Sequence, residues 1–247
     1  MSSEKRVLFD RMALGVISYL ETFSEIRTVS FQGNEPAQGS EVITWERKNN
    51  PYKLPADIKA FYSMFNGFNL SWSVEIGEKT EIIGEMKINK LDNVVKNSTE
   101  FFVQEYLPED VAPPNPKLCA MFVIDSSCSL GEVVLLYRNS HAGSGSGSLG
   151  LQLSPGSSSN TNSTPEEPEV WLLDRSAQLT YLCKSFTNYM RLMVTHLGIY
   201  GWHSVFLDVG WSLTAQHWMQ MFCKERLIVD RHYRHEVTLD KKTPYSG

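Results

Sequence analysis

The sequence has no apolar run approaching eighteen residues, so no membrane-spanning helix is expected. It has no surplus of positive charge either. Lysine plus arginine number 23 against 28 aspartate plus glutamate, for a net charge of −5. A broad nucleic-acid surface is thereby excluded, because phosphate binding needs a cationic excess. The first eleven residues carry Glu4, Lys5, Arg6 and Asp10 and do not read as a secretory signal. Cysteine is scarce: Cys119, Cys128, Cys183 and Cys223 lie far apart in apolar surroundings, with no C-x-x-C pair. Neither a zinc site nor a disulfide framework is expected. G-x-x-x-x-G-K-[ST], H-E-x-x-H, G-x-S-x-G and EF-hand patterns are all missing. No catalytic, cofactor-binding or metal-ligating set is assigned.

What is present is an ordinary globular composition, 42% apolar and 11% aromatic over 247 residues. Leu8, Met12, Val16, Leu20 and Phe23 predict a helix over 5–23. Residues 31–41 read as a loop. A second helix is expected from Pro55, where the missing N–H costs nothing, with Asp57 at the positive end of the dipole. Asn66-Gly67 stops it. Alternation in Leu70, Trp72, Val74 and Ile76 predicts a strand, and 82–88, 118–125, 132–137 and 169–173 are further strands. A hairpin connects them at 126–131.

Residues 140–168 form an insertion expected to be disordered. Sixteen of the 26 residues from 143 to 168 are Gly, Ser or Pro. Gly143 to Gly147 superficially imitates a phosphate loop but is followed by neither a lysine nor a helix. A long helix is predicted over 176–197 from Leu179, Leu182, Phe186, Met190, Met193 and Leu197, stopped by Gly198. A shorter one follows over 212–223, with Ser212 as its N-cap. The polar segment 224–247 is expected to be frayed or extended. Strands in series between helices give an α+β class, a mostly antiparallel sheet with packed helices, as one domain over 1–223.

Several lone residues are candidates for chemistry. Asp125 and Asp174 end strands, where a carboxylate caps a turn. His196 precedes Gly198 and is placed to cap free helix carbonyls. His203 and His217 sit among aromatics and read as packing or interface residues. His232 and His235 belong to a solvated basic tail.

Two ordered sets of residues carry a resemblance. Trp45-Glu46, then Leu54-Pro55 with Asp57, then Phe61-Tyr62 and Asn66-Gly67, leading into the strand with Trp72, resembles the SUKH superfamily of Smi/Knr-like domains. Trp171 and Asp174, then Phe186-Thr187 and Tyr189, then His196-Leu197-Gly198 and Trp202, narrow it. With Lys48-Asn49-Asn50 and Ile83-Gly84, they resemble the tubulin polyglutamylase complex subunit 2 family. The resemblance spans roughly residues 5–223 and implies a SUKH-like body and a non-catalytic accessory role. It implies a catalytic tubulin-tyrosine-ligase-like partner and other complex subunits, with indirect contact to tubulin and no cofactor of its own. It also implies a cytoplasmic, cytoskeletal setting at microtubules, centrosome or cilium. No nucleic-acid or membrane partner is expected.

The aromatic-rich stretch Tyr200, Trp202, His203, Phe206, Trp211 and Trp218 is the candidate partner surface, since tyrosine and tryptophan are enriched at interfaces. Two other outcomes stay open at this point. One is a SUKH-type adaptor without a glutamylase partner. The other is an unrecognised enzyme, which requires titratable groups converging in a pocket.

Overall fold

A computed structural model describes residues 14–105, 107–139 and 167–240. The start of the first predicted helix, the Gly/Ser-rich insertion from 140 to 166 and residues 241–247 lie outside the described residues.

Helix α1 covers 14–20 and buries Val16 and Leu20 one turn apart. Strand β1 (Ile26–Gly33) and helix α2 (Gly39–Lys48) follow. Both intrude on the predicted 31–41 loop. β1 is a half-exposed edge whose polar alternation gives a weak strand signal. Its register is set by pairing, Phe31 opposite Leu70. α2 starts where the Gln38 N–H donates to the Glu41 carboxylate at 2.6 Å, one arm of a capping box. α3 (Ala56–Tyr62) begins after Pro55, as predicted. It ends four residues before Asn66; Gly67, at φ +77°, instead turns the chain into β2.

β2 (Phe68–Ile76) and β3 (Lys79–Ile88) complete a three-stranded antiparallel sheet in the order β1-β2-β3. Two-residue strands β4 (Lys96–Asn97) and β5 (Phe102–Val103) flank a second sheet. Its main strands are β6 (Cys119–Asp125), β7 (Gly131–Arg138), β8 (Glu169–Asp174) and β9 (Gln178–Cys183). The order is β4-β6-β7-β8-β9-β5, antiparallel except for β5 beside β9. The α+β, mostly antiparallel expectation holds.

Both faces of the six-stranded sheet are covered, which explains its unbroken apolar runs. Phe122, Ile124, Val133, Leu135 and Leu172 face the main core with α2, α3 and the first sheet. Met121, Val134, Leu136, Trp171 and Leu179 face a second layer closed by Phe101, Val103, Leu107 and Val111. That cover comes from 98–117, a stretch without any matching motif.

The predicted helix over 176–197 is two elements. β9 occupies its first part, and α4 (Phe186–Thr195) its second, capped by Ser185. A strand buried on both faces shows no alternation. Leu179, Leu182 and Phe186 therefore imitate helical spacing across a strand and the helix after it. Asp174 makes the turn that begins β9, accepting from the Ser176 and Gln178 N–H groups at 2.8 Å each. A 3₁₀ turn (Trp202–Phe206) and α5 (Leu213–Phe222) follow, the latter with the expected Ser212 cap. The segment expected to be frayed is α6 (Lys224–Asp240). It is helical because it docks, with Leu227 and Asp230 buried against the body.

One joint locks the three-stranded sheet to the end of α4. The Trp72 indole N–H donates to the Leu197 carbonyl at 2.7 Å. Glu85 N–H donates to the Gly198 carbonyl at 2.8 Å and Tyr200 N–H to that of Ile83 at 2.9 Å. A Cβ on residue 84 would overlap the Trp72 indole and sit 2.8 Å from the Leu197 carbonyl oxygen. Gly84→Ala is expected to cost about 3 kcal/mol through overpacking. Trp72→Phe, which removes the donor to Leu197, is expected to cost about 2 kcal/mol. Urea denaturation of the purified variants checks both. A Gly84→Ala midpoint equal to wild type would refute the close approach.

Candidate functional site

The residues of the first motif set lie at joints between elements. Trp45 is buried, and its indole N–H donates to the Val94 carbonyl at 2.7 Å. Glu46 accepts from the Leu54 N–H at 3.1 Å and pairs with Lys59 at 2.6 Å, so it fixes the approach to α3. Leu54 and Phe61 are core residues, and the Phe61 ring meets Phe186 at 5.2 Å. Asp57 accepts from the Thr187 N–H at 2.9 Å and hydroxyl at 3.0 Å, stitching the first turns of α3 and α4 together. Tyr62 OH donates to the Asn89 carbonyl and Asn66 accepts from the Leu91 N–H. Trp171 is fully buried and donates to Glu169. The two motif sets therefore meet in space through Asp57–Thr187, Phe61–Phe186 and Trp72–Leu197.

Around 200–218 the candidate surface divides. Trp202 and His203 are inside the core and offer no face to a partner in this structure. The Trp202 ring lies between two histidines, 4.5 Å from His196 and 3.8 Å from His203. Stacking within a polar–aromatic core accounts for an aromatic density that reads as surface in the sequence. Phe206, Trp211 and Trp218 are half-buried, and only Tyr200 of the six is exposed. The exposed apolar side chains nearby are Val209 and Leu213, at 87% and 86%. They flank Trp211. His217 is exposed with its ring against Trp218.

One group of titratable side chains, Asp125, Cys128, Tyr189 and His203, lies beneath a narrow cleft. Tyr189 OH donates to Asp125 Oδ2 at 3.1 Å. The same hydroxyl lies 3.4 Å from His203 Nε2, and His203 Nδ1 lies 3.4 Å from Cys128 Sγ. Because the tyrosine proton is spent on Asp125, the assignment that satisfies every group puts a proton on Nε2. It leaves Nδ1 to accept from the thiol. Asp125 also accepts from the Ser127 N–H and hydroxyl at 2.8 and 2.7 Å, the predicted turn role.

Burial drives each of these groups toward its neutral form. It pushes the Cys128 thiol up to about 11, with Asp125 adding to the effect. It lowers His203 from 6.5 to about 3, helped by the charge of His196. Asp125 is raised by burial against its hydrogen bonds, and Tyr189 is raised well above its usual value. A cysteine nucleophile needs the opposite, a thiolate beside an imidazolium. The cleft has room for about 10 Å³, barely one water. The cluster is a satisfied internal relay. A larger groove of about 400 Å³ runs between α2 and residues 92–96. Its lysines, Lys48 and Lys96, are offset by Glu41 and Asp92. Among the described residues no three His, Cys, Asp or Glu are grouped to hold a metal. No helix there is long and apolar enough to cross a membrane.

His196 does what its place predicts and more. Its Nδ1 contacts the Leu192 carbonyl at 2.6 Å, capping α4. Its Nε2 lies 3.0 Å from Asp230 Oδ2, both residues being buried. Arg226 completes the group, ion-paired with Asp230 and 3.2 Å from His196 Nε2. Sequence reasoning missed Arg226 and Asp230. The available signal was a carboxylate three residues after Leu227 in an otherwise exposed basic segment. Cys128 and Tyr189 were also missed as partners, since nothing in their spacing reveals contacts across 75 and 14 residues.

Comparison with known proteins bears on these motifs. No family model and no solved structure matches the chain. A mouse protein, tubulin polyglutamylase complex subunit 2, is 31% identical over 231 residues, covering 86% of this chain and 71% of the relative. The human protein of that name is 30% identical over 229 residues, covering 86% and 69%. The rat protein is 28% identical over 239 residues, covering 90% and 74%. The chain belongs to the tubulin polyglutamylase complex subunit 2 family. In this family member the motif residues hold the fold, and burial shifts the relay residues toward their neutral forms.

The pH dependence of stability follows from His203. A histidine whose folded value is lowered leaves the unfolded chain binding more protons below 6.5, so stability falls as pH drops from 6.5 toward 3. Asp125, raised when folded, acts in the opposite sense above 3.8. The His203 contribution is isolated by comparison with a variant that lacks the imidazole. The urea midpoint is expected to fall between pH 7 and pH 4.5, and to fall less steeply in His203→Gln. Equal slopes for both proteins would show that His203 is not held neutral.

Proposed function

We propose that this chain is a non-catalytic accessory subunit of a tubulin polyglutamylase complex. In this reading it supports a tubulin-tyrosine-ligase-like partner, which carries ATP and magnesium chemistry and extends glutamate chains on tubulin. The family relation supplies the complex. The observation that supports an accessory role is the state of the Asp125–Cys128–Tyr189–His203 cluster: burial raises its thiol and carboxyl and lowers its imidazole, and its cleft admits about one water. Amide-bond formation between glutamates requires an activated carboxylate and room for two substrates. The setting implied is cytoplasmic and cytoskeletal, at microtubules and at centrosome or cilium, with tubulin met through the partner.

The partner-facing surface is assigned to Tyr200 together with the half-buried Trp211 and its exposed neighbours Val209 and Leu213. Exposed apolar residues around an aromatic anchor fit the core of an interface. A second reading is a SUKH-type adaptor for another partner. The SUKH-like motif around Trp45, Pro55 and Gly67 favours it, since that set builds the body and names no ligand.

The test is co-expression of the tagged chain with a ligase-like subunit and the remaining complex subunits. ATP-dependent glutamate incorporation into tubulin is then assayed in the complex and in the chain alone. Incorporation is expected in the complex only. The double variant Val209→Asp/Leu213→Asp is expected to keep the wild-type melting temperature while reducing recovery of the ligase by about tenfold, 1.4 kcal/mol of binding. Incorporation by the chain alone would sink the accessory reading. A chain that recovers no ligase would leave the adaptor.

A further inference from the structure

A sheet edge presents unpaired main-chain groups, and this fold protects three of its four. β4 and β5, at the margins of the six-stranded sheet, are two residues long. The outer edge of β3 is closed by the turn after α4, through the Gly84–Ile199 bridge and the Glu85–Gly198 and Tyr200–Ile83 hydrogen bonds. β1 is different. It is eight residues long, and among the described residues nothing pairs with its outer edge. Charged side chains and proline are the common local defences of an edge, and residues 28–34 contain neither.

The register shows which groups face outward. The Asn34 N–H donates to the Gly67 carbonyl at 3.3 Å, so residue 34 faces β2. Alternation in an antiparallel pair then turns Gln32 and Ser30 toward β2 and Gly33, Phe31 and Val29 away from it. The N–H and C=O groups of those three have no partner among the described residues. Val29 and Phe31 are only partly buried. The two ends of this edge carry opposite charge. Arg27, at a bulge, reaches Glu75 at 3.6 Å with both side chains more than half exposed, an arrangement of little energetic weight. Glu35, beyond the other end, is exposed.

We propose that β1 pairs antiparallel with β1 of a second copy of this chain, about a twofold axis at Phe31. The result is one sheet running through both copies in the order β3-β2-β1-β1-β2-β3. The outward groups are self-complementary in this register. Phe31 meets Phe31 of the second copy and Val29 meets its Gly33, each pair exchanging both main-chain hydrogen bonds. The two phenylalanines form a cross-strand aromatic pair. Ser30 lies beside Gln32 of the second copy, with no charge to oppose it. Arg27 comes opposite Glu35 of the second copy, and symmetry repeats that contact at the other end. This charge complementarity selects a second copy as the occupant, and selects the antiparallel sense, since a parallel pairing sets arginine beside arginine. The proposal goes beyond the accessory reading and does not rest on it.

The test is sedimentation equilibrium of the purified full chain over a range of concentrations. Reversible exchange between the 28.1 kDa chain and a species of twice that mass is expected. Arg27→Glu and Glu35→Arg each set like charges across both ends, and each is expected to weaken the dimer by about tenfold or more. An equal mixture of the two variants restores opposite charges at both ends and is expected to recover wild-type affinity. Both positions are exposed, so melting temperatures near wild type are expected. Hydrogen exchange on wild type gives a readout independent of the variants. Amides of Val29, Phe31 and Gly33 are expected to exchange more slowly as concentration rises, with Ser30 and Gln32, turned toward β2, as internal controls. A chain that stays monomeric at every concentration overturns the proposal. So does a dimer whose affinity neither reversal changes, a mixture no tighter than the separate variants, or exchange at the outward amides that ignores concentration.

Discussion

The contact between the Trp72 indole and the Leu197 carbonyl is the constraint on which the rest of the structure is arranged. It crosses from the middle of the three-stranded sheet to the turn that ends α4. The indole lies so close to β3 that residue 84 has no space for a side chain. The turn it holds contains Leu197 and Gly198 at φ +53° and +60°, a left-handed pair that glycine relieves at one position only. With that turn fixed, His196 is fixed one residue earlier, and its ring selects where Trp202 and α6 can lie.

Two buried polar groups sit on either side of Trp202 and behave differently. Cys128, His203, Tyr189 and Asp125 form a relay in which burial suppresses charge and donors and acceptors are paired in one direction. His196, Asp230 and Arg226 instead bring charge into the body from a helix at its margin. A fully partnered relay specifies core geometry at modest cost, since every member has a partner. A charged insertion carries a desolvation penalty that its own attraction only offsets.

The candidate residues were legible to different degrees. The turn roles of Asp125 and Asp174, the Ser212 cap and the capping position of His196 were readable because each depends on neighbours within a few residues. The aromatic stretch from Tyr200 to Trp218 was readable as aromatic but not as inside or outside. Tryptophan serves core and interface equally, and burial of Trp202 is decided by two histidines and α6. β9 was misread because period-two alternation vanishes when both faces are covered, and the Phe101–Val111 segment that covers one face carries no recognisable pattern. α6 was misread because a helix whose buried residues, among those described, are Leu227 and Asp230 has little amphipathic signal.

Local signals in the chain suffice for the α+β class, the positions of most main strands, the proline-started α3, the family and the absence of a recognised catalytic motif. These follow from local periodicity, turn chemistry and short ordered motifs. The fold brings Asp57 to Thr187 across 130 residues and Trp72 to Leu197 across 125. It alone closed the relay around His203 and brought Asp230 under Trp202's neighbour His196. Those contacts depend on how the sheets and helices of the described residues stack, and hydrogen-bond partners remote in the chain leave no spacing to read.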